Sequence, residues 1–225
     1  MKDNVVRGGW RDGRDLDFES TVRTIVSRVD LGTGTEDLGA RVDLNDRSLA
    51  QSCLTSPRGD LVFVAVMGSN AVEVYATWRG AHVAELPVGA GPRGLAINRL
   101  ASKLFVHETL DRAVSVFDIR DLLAGRAADA PRIARTSLVA TEALAPNVLR
   151  GKRIFHDATD LRMARDGYHS CATCHLEGGG DAAVWDFMQL GEGLRNTAPL
   201  TGRAGLGHGL LHWSANFDEV QDFEG

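Results

Sequence analysis

The run Asp60-Leu61-Val62-Phe63-Val64-Ala65-Val66-Met67-Gly68-Ser69-Asn70-Ala71-Val72-Glu73-Val74-Tyr75 decides the fold. Its first seven residues are rich in β-branched and aromatic side chains, which suit an extended chain. Gly68-Ser69-Asn70 interrupts them as a turn, and Ala71 to Tyr75 alternates with period two. Forty-two residues later the pattern returns. Ser102-Lys103-Leu104-Phe105-Val106 repeats the first strand, Leu110-Asp111-Arg112 the turn, and Ala113-Val114-Ser115-Val116-Phe117-Asp118 the second strand. Between them His82 to Gly89 reads as a third strand, and Gly91-Pro92-Arg93-Gly94-Leu95-Ala96-Ile97 turns into a fourth.

Four short strands in about 42 residues match one blade of a β-propeller. Upstream, Leu16, Phe18, Val22, Ile25, Val26 and Val29 suit either a helix face or two strands; the repeat favours strands of a preceding blade. Cys53, just before a strand, is expected to be a small buried hydrophobe. Downstream, residues 118–132 predict a short helix or turn and a Gly/Pro linker, with one last strand over 133–139. The first domain is therefore expected over residues 1–135, as an incomplete all-β propeller of about two blades. Two blades cannot close a ring, so open edges and a chain truncated at its N-terminus are expected.

The wording of these strands resembles YVTN-type propeller repeats. It is carried by Ser56-Pro57-Arg58-Gly59-Asp60, Gly68-Ser69-Asn70 and Val88-Gly89-Ala90-Gly91-Pro92-Arg93-Gly94-Leu95-Ala96. The resemblance covers roughly residues 40 to 120 and speaks to fold rather than function.

The chemistry lies further on, in Cys171-Ala172-Thr173-Cys174-His175. C-x-x-C-H is the attachment signature of a c-type haem. Thiols three residues apart lie about one helical turn apart and reach the two vinyl groups on one porphyrin edge. The histidine that follows is carried under the metal, where a ring nitrogen binds iron. Zinc would need two more ligands, His208 and His212 being the available pair, because Cys53 is remote in sequence. A thioredoxin-like dithiol would follow a buried strand and open a long helix, whereas this run has a polar approach and a glycine run behind it. With only 3 cysteines in 225 residues, two falling in this pattern argue against accident. The cofactor expected is one covalently bound haem c, held by Cys171, Cys174 and His175.

Composition sets the frame. Hydrophobic content is 44%, charged content 24% and net charge −5, as in ordinary globular chains. The charge is too modest, and its cations too scattered, to imply nucleic acid. No apolar stretch approaches the roughly 20 residues that span a bilayer. Met1 to Trp10 lacks the apolar core of a secretory signal. Haem attachment in bacteria belongs to the periplasmic side, so a periplasmic or extracytoplasmic location is expected, with a leader upstream of this segment.

Around the motif, Val148, Leu149, Ile154 and Phe155 predict an amphipathic helix weakened by Gly151. After it come Arg195-Asn196-Thr197-Ala198-Pro199-Leu200 and Leu211-His212-Trp213-Ser214-Ala215-Asn216-Phe217-Asp218-Glu219. With the C-x-x-C-H run, these segments resemble the di-haem cytochrome c peroxidase and methylamine-utilisation peroxidase-like family over roughly residues 148 to 225. The resemblance implies a mainly α-helical cytochrome c domain over 143–225, in which Gly151 and Phe155 pack their helix against the one at the haem edge. It also implies a second haem outside this chain, and a propeller–cytochrome fusion. Arg195 is a candidate partner for a haem propionate through paired hydrogen bonds. Met188 or His212 is the candidate sixth iron ligand, with His208 and Met163 behind them.

The sequence thus predicts a c-type haem electron-transfer protein, part of a di-haem peroxidase-like oxidoreductase, whose partner is a redox protein or second haem domain. The alternative is a propeller-based binding module with a structural or redox-sensing haem.

Overall fold

The computed structural model describes residues 2–4, 22–188, 192–201, 210–211 and 215. Its described residues are mostly strands in antiparallel sheets. The leading sheet joins β1 (Lys2–Asn4), β2 (Val22–Val26) and β5 (Val42–Leu44), while β3 (Val29–Asp30) and β4 (Thr35–Glu36) form a small ribbon. The strand reading of the segment from Val22 therefore holds; Leu16 and Phe18 lie outside the described residues. Two four-stranded meanders follow. The first is β6 (Ala50–Thr55), β7 (Leu61–Val66), β8 (Ala71–Ala76) and β9 (His82–Pro87). The second is β10 (Pro92–Ile97), β11 (Lys103–Glu108), β12 (Ala113–Asp118) and β13 (Arg132–Ser137).

The repeat extends to its irregularities. Register shifts fall between Ala50 and Ser52 in one sheet and between Pro92 and Gly94 in the other. A second pair falls between Val74 and Tyr75 and between Val116 and Phe117. Such bulges sharpen local twist, so both sheets bend at equivalent places.

Packing explains why the first strands read as continuous apolar runs. One face of the first meander buries Phe63, Val72, Val74 and Leu86 against Leu104, Val106, Phe117 and Ile119 of the second. Its other face buries Val62, Val64, Val66 and Tyr75 against Leu44 and the partly buried Val26 and Val42 of the leading sheet. Strands covered on both faces have no polar side to alternate with. Each such fully buried side chain contributes about 1.5–3 kcal/mol. By contrast β12 alternates, with Ala113, Ser115 and Phe117 buried and Val114 and Val116 half-buried, and all six residues of β13 are exposed. Along β6, Cys53 falls on the exposed side, not in the core as expected, because the strand's half-buried positions are Ala50, Ser52 and Leu54.

The mainly α-helical cytochrome domain expected over 143–225 is overturned. Among the described residues there are three short α-helices: α1 (Arg120–Leu123), α2 (Pro146–His156) and α3 (Cys171–Cys174). Residues after α3 form β14 (Val184–Phe187) and β15 (Gly193–Asn196), an antiparallel pair. The physical reason is local. His175 leaves helical dihedrals, Glu177 and Gly178 adopt positive φ, and three successive glycines follow Glu177, all of which oppose helix. α2 does form where predicted, started by Pro146 in its first turn. Among the described residues no helix is long and apolar enough to cross a membrane.

Candidate functional site

The C-x-x-C-H run occupies α3 and the residue after it. Ser170 enters in extended conformation, and its backbone N–H donates to the Thr173 hydroxyl at 2.8 Å. The Thr173 N–H donates to the Ser170 carbonyl at 2.9 Å, and the His175 N–H to the Cys171 carbonyl at 2.9 Å. This single turn has two sides. Ala172 and Thr173 are buried, while Cys171 is exposed and Cys174 and His175 are half-buried.

The buried side is seated on loops at one end of the two meanders. Ala172 packs in a cluster with Leu49, Met67 and Leu110, to which Ala90 and Phe155 add partly buried surface. Leu49 leads into β6 and Met67 leaves β7; Ala90 precedes β10 and Leu110 leaves β11. The loops are related by the repeat, so the seat has two matching halves. Their close approach needs glycine at two places. A Cβ on Gly68 would come 2.8 Å from the Ser48 Cβ, and one on Gly91, which has φ +69°, 2.6 Å from the Leu110 Cγ.

Polar contacts stitch the rest of the segment to the same end. Ala158 donates its N–H to the Gly68 carbonyl at 2.8 Å. Arg93 pairs with Glu177 at 2.9 Å, and Arg153 with Asp111 at 2.9 Å. Phe155 meets the turn as expected of the α2 helix, but Gly151 faces open space and makes no close approach.

Cys171 and Cys174 form no disulfide, and desolvation by the surrounding protein pushes the Cys171 thiol up from its ordinary value. The Nδ1 of His175 is buried without a hydrogen-bond partner. A ring nitrogen withheld from water and from protein partners asks for an explanation, and a bound metal is one. Two cysteines outside any disulfide, a turn apart with that imidazole next to them, fit the donor set of a covalently held haem. Among the described residues no group of three or more His, Cys, Asp or Glu side chains could hold a metal ion by itself.

The other predicted residues sit elsewhere. Arg195 lies on β15 opposite Trp185 and donates to the Leu194 carbonyl at 3.0 Å. Met188 follows β14 and is exposed, and Met163 is half-buried in the approach to the motif. His208 and His212 lie outside the described residues. The strand pair nonetheless returns to the motif's downstream side, where Leu200 donates its N–H to the Gly178 carbonyl at 2.7 Å. Thr197 anchors this return: its hydroxyl donates to Asp181 at 2.7 Å and accepts from the buried Trp185 indole at 3.0 Å. Sequence reasoning missed Ser48, Leu49, Met67 and Leu110 as the seat. The one available signal was the repeat, which places Gly68 and Leu110 at equivalent turns.

No protein-family model matches the chain, and no curated protein matches it either. Solved structures do. Hydrazine synthase of Kuenenia stuttgartiensis aligns at 24% identity over 48% of this chain and 28% of its own, with a TM-score of 0.40. A putative 6-phosphogluconolactonase from Bacteroides fragilis aligns at 19% over 51% and 33%, with a TM-score of 0.42. The periplasmic gluconolactonase of Pseudomonas aeruginosa aligns at 17% over 55% and 38%, with a TM-score of 0.42. The two lactonase structures are β-propeller-like, and the chain spans 28% to 38% of the lengths of these three neighbours.

Proposed function

We propose that this chain carries one haem c on the turn from Cys171 to His175 and uses it for electron transfer. Cys171 and Cys174 hold the haem as thioethers and His175 binds the iron. The group itself supplies a one-electron iron centre. The chain's own residues do the rest. Ala172 and Thr173 fix the turn to the sheet loops, the exposed face of Cys171 opens to the cofactor, and the seat of Leu49, Met67 and Leu110 keeps water from the turn's underside. The observation that carries this reading is an exposed Cys171 and a half-buried Cys174, neither in a disulfide, one helical turn apart beside a buried His175 Nδ1 with no hydrogen-bond partner.

The finer reading, that the chain serves a di-haem peroxidase-like oxidoreductase outside the cytoplasm, draws on the likeness of the Arg195-Asn196-Thr197 and Leu211-His212-Trp213 segments to that family. It places a redox protein or second haem as the electron partner.

The test is maturation. Expressed with a leader into a compartment that attaches haem, the chain is expected to keep its colour through acid–acetone extraction. Colour that extracts, or protein that stays colourless with zinc bound, overturns the haem reading. Retained haem with tight partner binding and no peroxide turnover would replace the peroxidase reading with that of a binding module.

A further inference from the structure

The C-x-x-C-H turn is locked from beneath by a hydroxyl pair contributed by two distant parts of the chain. Ser48 is 0% exposed and Thr173 is 2% exposed, and their side-chain oxygens lie 3.0 Å apart. Thr173 also accepts the Ser170 N–H, so one hydroxyl both closes the turn on itself and ties it to the sheets. Ser48 is held in its turn by its own N–H, which donates to the Ser69 hydroxyl at 3.0 Å. Gly68 lies against it, where any side chain would collide. The two residues between the cysteines are therefore the anchored ones, and Cys171 is left exposed.

We infer that Ser48 and Thr173 are positioning residues: together they preform the turn on the sheet end, so that the backbone carrying Cys171, Cys174 and His175 is fixed before any cofactor arrives. This deepens the haem reading and rests on it only for what the thiols are presented to. Neither residue touches the cofactor. Their effect passes through the helix turn, which fixes where the Cys171 side chain stands.

The experiment uses the full, reduced, haem-free chain and N-ethylmaleimide, with modification of Cys171 followed site by site at one fixed pH. Losing the buried hydroxyl partner in Ser48→Ala or Thr173→Val opens the turn, so Cys171 is expected to react about five-fold faster. Thr173→Ser behaves as the parent. The double variant is expected to react no faster than the quicker single one, because both remove the same contact. Unchanged rates in Ser48→Ala, or effects that multiply in the double variant, overturn the inference. Should Thr173→Val fail to fold, Ser48→Ala and Thr173→Ser decide. Faster alkylation in Ser48→Ala alongside a colourless matured parent overturns the haem reading and leaves the positioning role. Retained haem with unchanged alkylation does the reverse.

Discussion

Arg135 on the exposed edge strand donates through Nε at 2.8 Å to Glu108, a carboxylate with 0% exposure. Glu108 also accepts from the Ser115 hydroxyl at 2.5 Å and the Gly89 N–H at 2.8 Å. Burial alone would raise this carboxyl, but the three donors outweigh it and hold it below the usual glutamate range. Arg135 reaches on to Asp111 at 2.8 Å, which Arg153 of α2 also grips. One buried carboxylate thus organises a chain of ions from the second sheet to the helix beside the candidate site.

Replacing Arg135 with alanine leaves that carboxylate short of its charged donor. A loss of about 2 kcal/mol is expected, below the full penalty for breaking a buried pair because the guanidinium is itself partly solvated. Denaturant titration of the parent and Arg135→Ala chains checks it.

The same carboxyl fixes a pH dependence. Its folded pKa is lowered, so its contribution is complete above the ordinary glutamate value and is lost as pH falls through the folded one. The stability gap between the parent and Glu108→Gln is therefore expected to be flat near neutrality and to close in acid. Melting curves from neutral pH down to the glutamate range measure it; a gap that widens in acid would reverse the sign.

Two glycines make opposite predictions. Gly91→Ala forces a side chain into a left-handed backbone and into Leu110, so a loss of about 1–2 kcal/mol is expected. Gly151→Ala sits inside α2 facing open space and is expected to gain about 0.5–1 kcal/mol. Thermal melts of the two variants side by side suffice.

Cysteine variants separate attachment from fold. In matured protein, replacing Cys171 and Cys174 together by serine is expected to abolish extraction-resistant colour with little change in melting of the sheets. Cys53→Ser, on the exposed face of β6, leaves the colour intact. Loss of colour on replacing Cys53 would move the attachment site.

The sheets were legible because their evidence is local and repeated. Val62 to Val66 is apolar at every position since both faces are covered, and the same spacing recurs at Leu104 to Val106. The domain after them was misread because the motif's resemblance carried an expectation of helices that Gly178-Gly179-Gly180 and the alternation at Val184-Trp185 do not support. Cys53 was misplaced by a single step of a period-two strand. The seat was hidden for a different reason. Ser48 and Thr173 are separated by 125 residues, and nothing in either neighbourhood announces a partner.

The unequal covering of the two meanders sets an order of opening. Amides of β7 and β8 lie under packed side chains on both sides, whereas β13 is bare and, among the described residues, hydrogen-bonded along one edge only. In deuterated solvent the rim formed by β13 would surrender its protons first and the middle of the stack last. Because Arg135 sits on that rim, the ion chain beginning there is tethered to the part of the molecule that breathes most readily.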